Sequence, residues 1–454
     1  MTRAIEGSKR DQAITCCGIM QRFKALAIAS FLAIAIVGSG VVTSVSISPA
    51  SARATGTATS FAARLDPAAR RQFDAWYQAQ VFHRAALDSY WADVEQKRRI
   101  RRAKRRRRQA FADSDYVTTL PPTYEGPALS KALRRRWNDY RNPARPGGGT
   151  PKPSTLPGLD DYMASAKRHF GFAPERIPEI EFKRRFAREA LRLGLTRDQI
   201  LRVYALETGG RGTADMQAGI NPITRKGRPI SSALGYAQLL AANSVNVLSK
   251  HGPKFVSRLK AMVRAEQDPA ARQQLAGKLA VLEGMVRAAK SVPYKWSRHI
   301  AFAKTGRGRA LHVMNMDGVI GPWMQVTKLA DLKRMAKRKG RDRLSGEEIE
   351  LMNLAGPGTG LEMMSAVGID KPTPNFFSRR AYYRNTVVRG KDSHGLIEAL
   401  GRRMEAGLKN PGAEEFAAVF DELEGRRPRP RRVSAPPAEP HAFGFVPAPF
   451  RPRD

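Results

Sequence analysis

Between Leu159 and Glu405 almost no stretch alternates apolar and polar residues with period two, while apolar residues recur at spacings of three and four. A chain patterned this way buries one stripe of each helix and has no face for a half-buried sheet. The spacing predicts helices over Phe182–Leu193, Thr196–Glu207, Ser231–Lys250, Leu275–Ala289, Trp323–Lys337 and Ser345–Leu354. Asp66–Gln109 reads the same way, with Phe73, Trp76, Val81, Ala85, Leu87, Trp91 and Val94 at roughly helical intervals. The expected fold class is mostly α.

With 454 residues, 42% of them hydrophobic, the chain can bury a sizeable core and is not disordered throughout. A charged fraction of 26% excludes a polytopic membrane protein. The 79 Lys plus Arg against 41 Asp plus Glu leave a formal charge of +38, which calls for an acidic partner: nucleic acid, an anionic membrane surface or an acidic wall polymer. The excess is densest in Lys97–Arg108, where only Ile100 and Ala103 are not basic. Such an arm binds any polyanion without reading sequence, so a specific nucleic-acid partner is not expected, whereas an anionic wall polymer or membrane surface is. A linker rich in Pro and Gly, Asn142–Pro157, follows it, and the Pro/Arg-rich segment Arg426–Asp454 is expected to be disordered.

The first 54 residues read as an export signal. Arg22 and Lys24 precede an apolar run, Ala25–Val37, and Ala52-Arg53-Ala54 supplies a small-x-small cleavage pattern. The alternative is a retained membrane anchor, since residues 25 to 52 carry no charge. Cys16 and Cys17 are the only cysteines, and removal of the signal leaves a chain without any, as suits an exported compartment. The expected organisation is a signal over 1–54, a basic helical arm and linker over 55–150, a catalytic domain over 151–405, and a terminal helix and tail over 406–454.

One helix carries a candidate for chemistry. Thr196 and Gln199 form a capping box at its start, and Ile200, Val203 and Tyr204 make an apolar face on which Glu207 lies. Gly209 and Gly210 then end the helix. A carboxyl on the core side of a helix C-terminus meets both low polarity and the negative end of the dipole, so its pKa rises, as a proton donor at neutral pH requires. The competing expectation is an exposed glutamate beside Arg202 or Arg211.

The residues around it form a pattern. Glu207-Thr208-Gly209-Gly210, then Ser232-Ala233-Leu234-Gly235-Tyr236-Ala237-Gln238, then Ala355-Gly356-Pro357-Gly358, then Tyr382-Tyr383, resemble in order the motifs of the soluble lytic transglycosylases, relatives of goose-type lysozyme. The resemblance covers about half the chain and implies a lysozyme-like helical domain that acts on peptidoglycan glycan strands. It implies Glu207 as the catalytic acid, Thr208 in place of the family's serine, and Ser232, Gly235, Gln238 and Gly356 along the saccharide groove. Asn353 and Leu354 stand where the family has Tyr and Asn, leaving Tyr382 or Tyr383 to donate the hydrogen bond that the acid receives. A second glycine-to-glutamine block, Gly321–Gln325, reads instead as a helix start with Trp323 in the core.

As the family acts, one carboxyl suffices: Glu207 would protonate the bond between N-acetylmuramic acid and N-acetylglucosamine, then take the C6 hydroxyl proton as a 1,6-anhydro ring closes. Asp215 is the nearby second carboxylate in sequence, and if it faced Glu207, lysozyme-type hydrolysis would be the better reading. No zinc signature or phosphate loop occurs, so no metal and no cofactor is expected. The rival readings are a non-catalytic wall-binding protein with a degenerate groove and a polyanion-binding protein.

Overall fold

The computed structural model describes residues 57–142 and 156–425. The expected export signal and Pro/Arg-rich tail lie outside the described residues, as does most of the Pro/Gly linker. Contacts divide the chain into two units, Met1–Phe61 and Ala62–Asp454. In the first, residues 57–61 are helical; the rest of the description concerns the second. Among the described residues there is no β-strand, only isolated bridges, and the protein is all-α in class.

The longest helix, α1 (Pro67–Arg106), starts where Asp66 accepts bonds from the amides of Ala68 (3.1 Å) and Ala69 (2.8 Å) and Pro67 takes the first turn. Its 40 residues extend about 60 Å. The short α2 (Lys131–Arg141) lies against its beginning through the rings of Phe73 and Trp137, 5.0 Å apart edge to face. The remaining helices are α3 (Leu159–Phe170), α4 (Glu179–Arg192), α5 (Arg197–Thr208), α6 (Ala241–Ala265), α7 (Pro269–Lys290), α8 (Trp296–Ala303) and α9 (Gly306–His312). They continue with α10 (Ile320–Lys337), α11 (Gly346–Ala355), α12 (Pro357–Met363), α13 (Arg379–Arg384), α14 (Ser393–Leu408) and α15 (Pro411–Leu423).

Two hydrophobic cores form around these helices. One gathers α4, α5, α11, α14 and α15, with Phe186, Tyr204, Leu351, Leu400 and Phe416 at its centre. The other gathers α3, α6, α7 and α9 around Tyr162, Leu248, Leu282 and Leu311. The helix α10 joins them: Ile320, Trp323 and Met324 enter the second core, Val326, Leu329 and Leu332 the first. A helix apolar on all sides belongs in an interior, and α10 is buried along most of its length. Trp323 thus sits in the core near a helix start, and Met314, Met316, Met324 and Met352 are core filling.

The expected helix Ser231–Lys250 begins only at Ala241. Gly235 and Gln238 have left-handed backbones (φ 79° and 39°), and Leu234 and Leu239 pair their backbones across a tight loop, which no helix accommodates. This loop spans the two cores, with Leu234 in one and Tyr236 in the other.

The expected boundaries at 150 and 405 do not divide the fold. Trp91 and Val94 of α1 and Phe416 and Phe420 of α15 lie in the same core as α5. Nor is the basic run a solvated arm on all sides. Arg101, its side chain 3% exposed, bonds to the carboxylate of Glu362 (2.7 Å) and the carbonyls of Asp115 (2.6 Å) and Asn375 (2.5 Å). Arg98 donates to the carbonyls of Pro374 and Phe377, Lys104 pairs with Asp115, and Arg105 pairs with Glu362. Arg99, Arg102, Arg106, Arg107 and Arg108 remain outward. The helical period sorts one basic run into an inner and an outer face.

Candidate active site

The helix α5 begins as its sequence dictates: Thr196 Oγ1 accepts from the amide of Gln199 (3.2 Å), and Gln199 Oε1 accepts from that of Thr196 (3.0 Å). Gly209, in the left-handed conformation (φ 62°), closes it. Glu207 therefore stands in the last turn, half-buried, with its carboxyl densely surrounded by protein. Neither alternative cation holds it: Arg202 pairs with Asp198, Glu347 and Glu405, and Arg211 bonds to Asn410.

A second carboxyl meets it. Glu350, on α11 and 4% exposed, is hydrogen-bonded to Glu207, and the amide of Asn353 spans the pair. Asn353 Nδ2 lies 3.2 Å from Glu207 Oε1, 3.3 Å from Glu350 Oε1 and 3.5 Å from Oε2. Burial first, and then the charge and hydrogen bond of Glu350, push the Glu207 carboxyl well above the ordinary carboxylate range. Burial likewise pushes Glu350 up to about 7, against the stabilising effects of its bonds to Glu207 and Asn353 and the charge of Lys328. The C-terminal ends of α5 and α11 both converge here, adding the negative ends of two helix dipoles.

The direction expected for Glu207 from its helix position thus agrees with the structure, but the chief partner was missed. In sequence Glu350 is one carboxylate inside Ile349-Glu350-Leu351-Met352; only its apolar neighbours and its place three residues before Asn353 hint that it faces inward.

Asp215 is otherwise engaged. Its oxygens bind Arg176 (2.6 Å), Arg225 (3.2 and 3.1 Å) and Thr213 (2.6 Å). Burial works against its charge, but these bonds outweigh it and hold the carboxyl down at about 2.

The other expected residues divide between the site and its scaffold. Thr208 is buried, its hydroxyl donating to the carbonyl of Tyr204 (2.6 Å) one turn back. Tyr236 brings the second motif beneath α5, its ring centroid 4.9 Å from that of Tyr204. Ser232 caps the next helix by accepting from the amide of Ala241 (3.1 Å). Gln238 is 8% exposed and donates to the carbonyls of Gly235 (2.7 Å) and Met216 (3.1 Å), which holds the loop closed. A side chain at Gly235 would strike Gln325, whose amide nitrogen would lie 2.6 Å from the added carbon. Gln325 itself accepts from the amide of Ala237 (2.9 Å) and donates to the carbonyl of Asn315 (3.0 Å), so the second glycine-to-glutamine block locks the first.

Gly356 turns the chain between α11 and α12 with φ 88°, three residues past Asn353. Tyr382 and Tyr383 are on α13, where both rings pack on Trp91. The Tyr382 hydroxyl accepts from the amide of Gly390 (3.0 Å), and the donor to Glu207 is Asn353. The hydrogen bond expected from a tyrosine is therefore made by an amide at a position where the resembling motif has Tyr.

Among the described residues no group of three or more His, Cys, Asp or Glu could hold a metal ion, and no helix is long and apolar enough to cross a membrane. Chemically, the arrangement is a proton donor with a strip of accessible surface, backed by a second carboxyl and an amide. No protein-family model, curated protein or solved structure matches this chain.

Proposed function

We propose that this protein is a peptidoglycan lytic transglycosylase with a lysozyme-like helical domain and Glu207 as its single acid and base. The observation that carries the reading is the Glu207 carboxyl at the end of α5, set beside the buried Glu350 under one amide, surroundings that push its pKa well above the ordinary carboxylate range. It gives its proton to the glycosidic oxygen as the bond to C1 breaks. The substrate's own 2-acetamido oxygen stabilises C1, and Glu207, now a base, takes the C6 hydroxyl proton as the anhydro ring closes.

Two features favour this over hydrolysis with a paired carboxylate. Asp215 has its oxygens held by two guanidinium groups and a hydroxyl. Glu350 shares the Asn353 amide with Glu207 and is buried, so it has no surface from which to face a sugar across from the acid. The protein would act in the cell envelope, delivered by the N-terminal signal or held by it as an anchor. The outward arginines of α1 would attach it to an anionic wall polymer or membrane surface.

The test is mass analysis of muropeptides after incubation with purified wall. Anhydro ends are expected; reducing ends, heavier by one water, would overturn the transglycosylase reading. The engagement of Gln238 and Thr208 in internal bonds favours one rival, a wall-binding protein without activity. Intact glycan with retained binding would establish it.

A further inference from the structure

Glu207 and the buried Glu350, with carboxyl oxygens 3.2 and 3.3 Å from the same Asn353 nitrogen, need a proton between them, because adjacent carboxylates do not both ionise at ordinary pH. The charges nearby fix how many protons. On α10, half-buried Lys328 is the cation whose charge acts on Glu350, and burial works against that charge too. With two protons on the pair the cluster is +1, with none it is −1, and with one it is neutral; a buried cluster favours neutrality.

The surrounding elements leave this count unchanged. Asp331 on α10 is bound by Lys250 and His251 of α6 and by Arg334. Glu362 on α12 is held by Arg101 and Arg105, while Arg202 on α5 joins Glu347 on α11 to Glu405 on α14.

We propose that Glu350 is a positioning residue that shares one proton with Glu207, so that the pair, oriented by Asn353 and balanced by Lys328, is the acid. Its part in cleavage rests on the reading of Glu207 given above; the sharing of the proton does not. When Glu207 releases the proton to the glycosidic oxygen, the pair carries two negative charges beside Lys328. Their repulsion makes it a stronger base than one glutamate would be, and the C6 hydroxyl proton restores the neutral cluster as O6 bonds to C1. One proton leaves and one returns, without water.

The experiment is a carbon-13 NMR titration of the full chain labelled at glutamate carboxyls, comparing the native protein with Glu350→Gln, Lys328→Met and Glu207→Gln. In Glu350→Gln the Glu207 midpoint should fall by about one pH unit or more, and in Lys328→Met it should rise. The converse change, Glu207→Gln, should lower the midpoint of Glu350 and keeps the test open if Glu350→Gln does not fold. A Glu207 midpoint unmoved by Glu350→Gln, or a Glu350 midpoint unmoved by Glu207→Gln, would overturn the proposal. Wall digestion run alongside should show the alkaline limb of kcat/KM moving to lower pH in Glu350→Gln with KM nearly constant; a limb that stays put counts against it. If the native protein cleaves no wall, the function is refuted while the titration still decides the pairing.

Discussion

Two buried charge clusters in this protein are resolved in opposite ways. Where α1 meets α12, Arg101 and Glu362, with side chains 3% and 5% exposed, pair opposite charges and saturate each other with further bonds from Asp115, Asn375 and Tyr116. At the ends of α5 and α11, Glu207 and Glu350 bring two acids together under one amide, where both cannot be charged at once. The first arrangement leaves no proton in play and fixes a long helix to the core. The second holds a proton that burial and repulsion keep from leaving, which is what a donor needs. Burial alone therefore does not tell a structural ion pair from a group that can hold a proton; the sign of the neighbour does.

Substitutions can break this contrast. The largest expected effect is on activity: Glu207→Gln should lower wall clearing by a factor on the order of a thousand or more, while circular dichroism stays native and the unfolding midpoint at neutral pH does not fall, since an amide there escapes the cost of burying a titrating carboxyl. Normal clearing by the folded variant would remove Glu207 from the mechanism. Arg101→Met should do the reverse, lowering stability by about 3–5 kcal/mol in urea unfolding because Glu362 is left buried and under-paired. A loss below about 1 kcal/mol would show that the pair is not what fixes α1.

The two clusters also differ in acid and base. Glu207 and Glu350 titrate higher folded than unfolded, so the folded state binds more protons. Stability should be fullest below about pH 4.5 as far as this pair is concerned, and decline as pH rises to and past 7, by an amount on the order of 3 kcal/mol for Glu350. Glu350→Gln should flatten that decline in urea titrations; an unchanged slope would contradict the pairing. Asp215 has the opposite sign: its contribution is present above about pH 4 and is lost as pH falls through about 2. The smallest effect is expected on the outer face of α1, where replacing Arg99, Arg102 and Arg106 by serine should change stability by less than about 0.5 kcal/mol each. Retention on insoluble wall at low salt should nevertheless fall, and equal retention would deny that face a binding role.

Much of this was legible in the sequence. The capping residues Thr196 and Gln199, Ser345 ahead of α11, and Asp66 ahead of α1 mark helix starts, because caps are local chemistry. Glu207 was legible for the same reason, standing on the apolar face of a helix that two glycines end. The start of α6 was not, since Gly235 and Gln238 owe their left-handed backbones partly to Gln325, almost ninety residues on. Glu350 was hidden because its meaning depends on Glu207, 143 residues earlier. The two faces of the basic run were hidden because their difference lies in Glu362, Asp115 and Asn375, which no count of arginines contains.

The split of that run also sets how the chain can drift over generations. The outward positions 99, 102 and 106 are exposed, and a role in polyanion binding would ask only for positive charge there, for which arginine and lysine are interchangeable. Position 101 needs a flat fork that reaches a carboxylate and two carbonyls at once, which an ammonium group does not supply. Descendants of this sequence should therefore wander at three of these positions and stand still at the fourth, although all four sit within eight residues of one another.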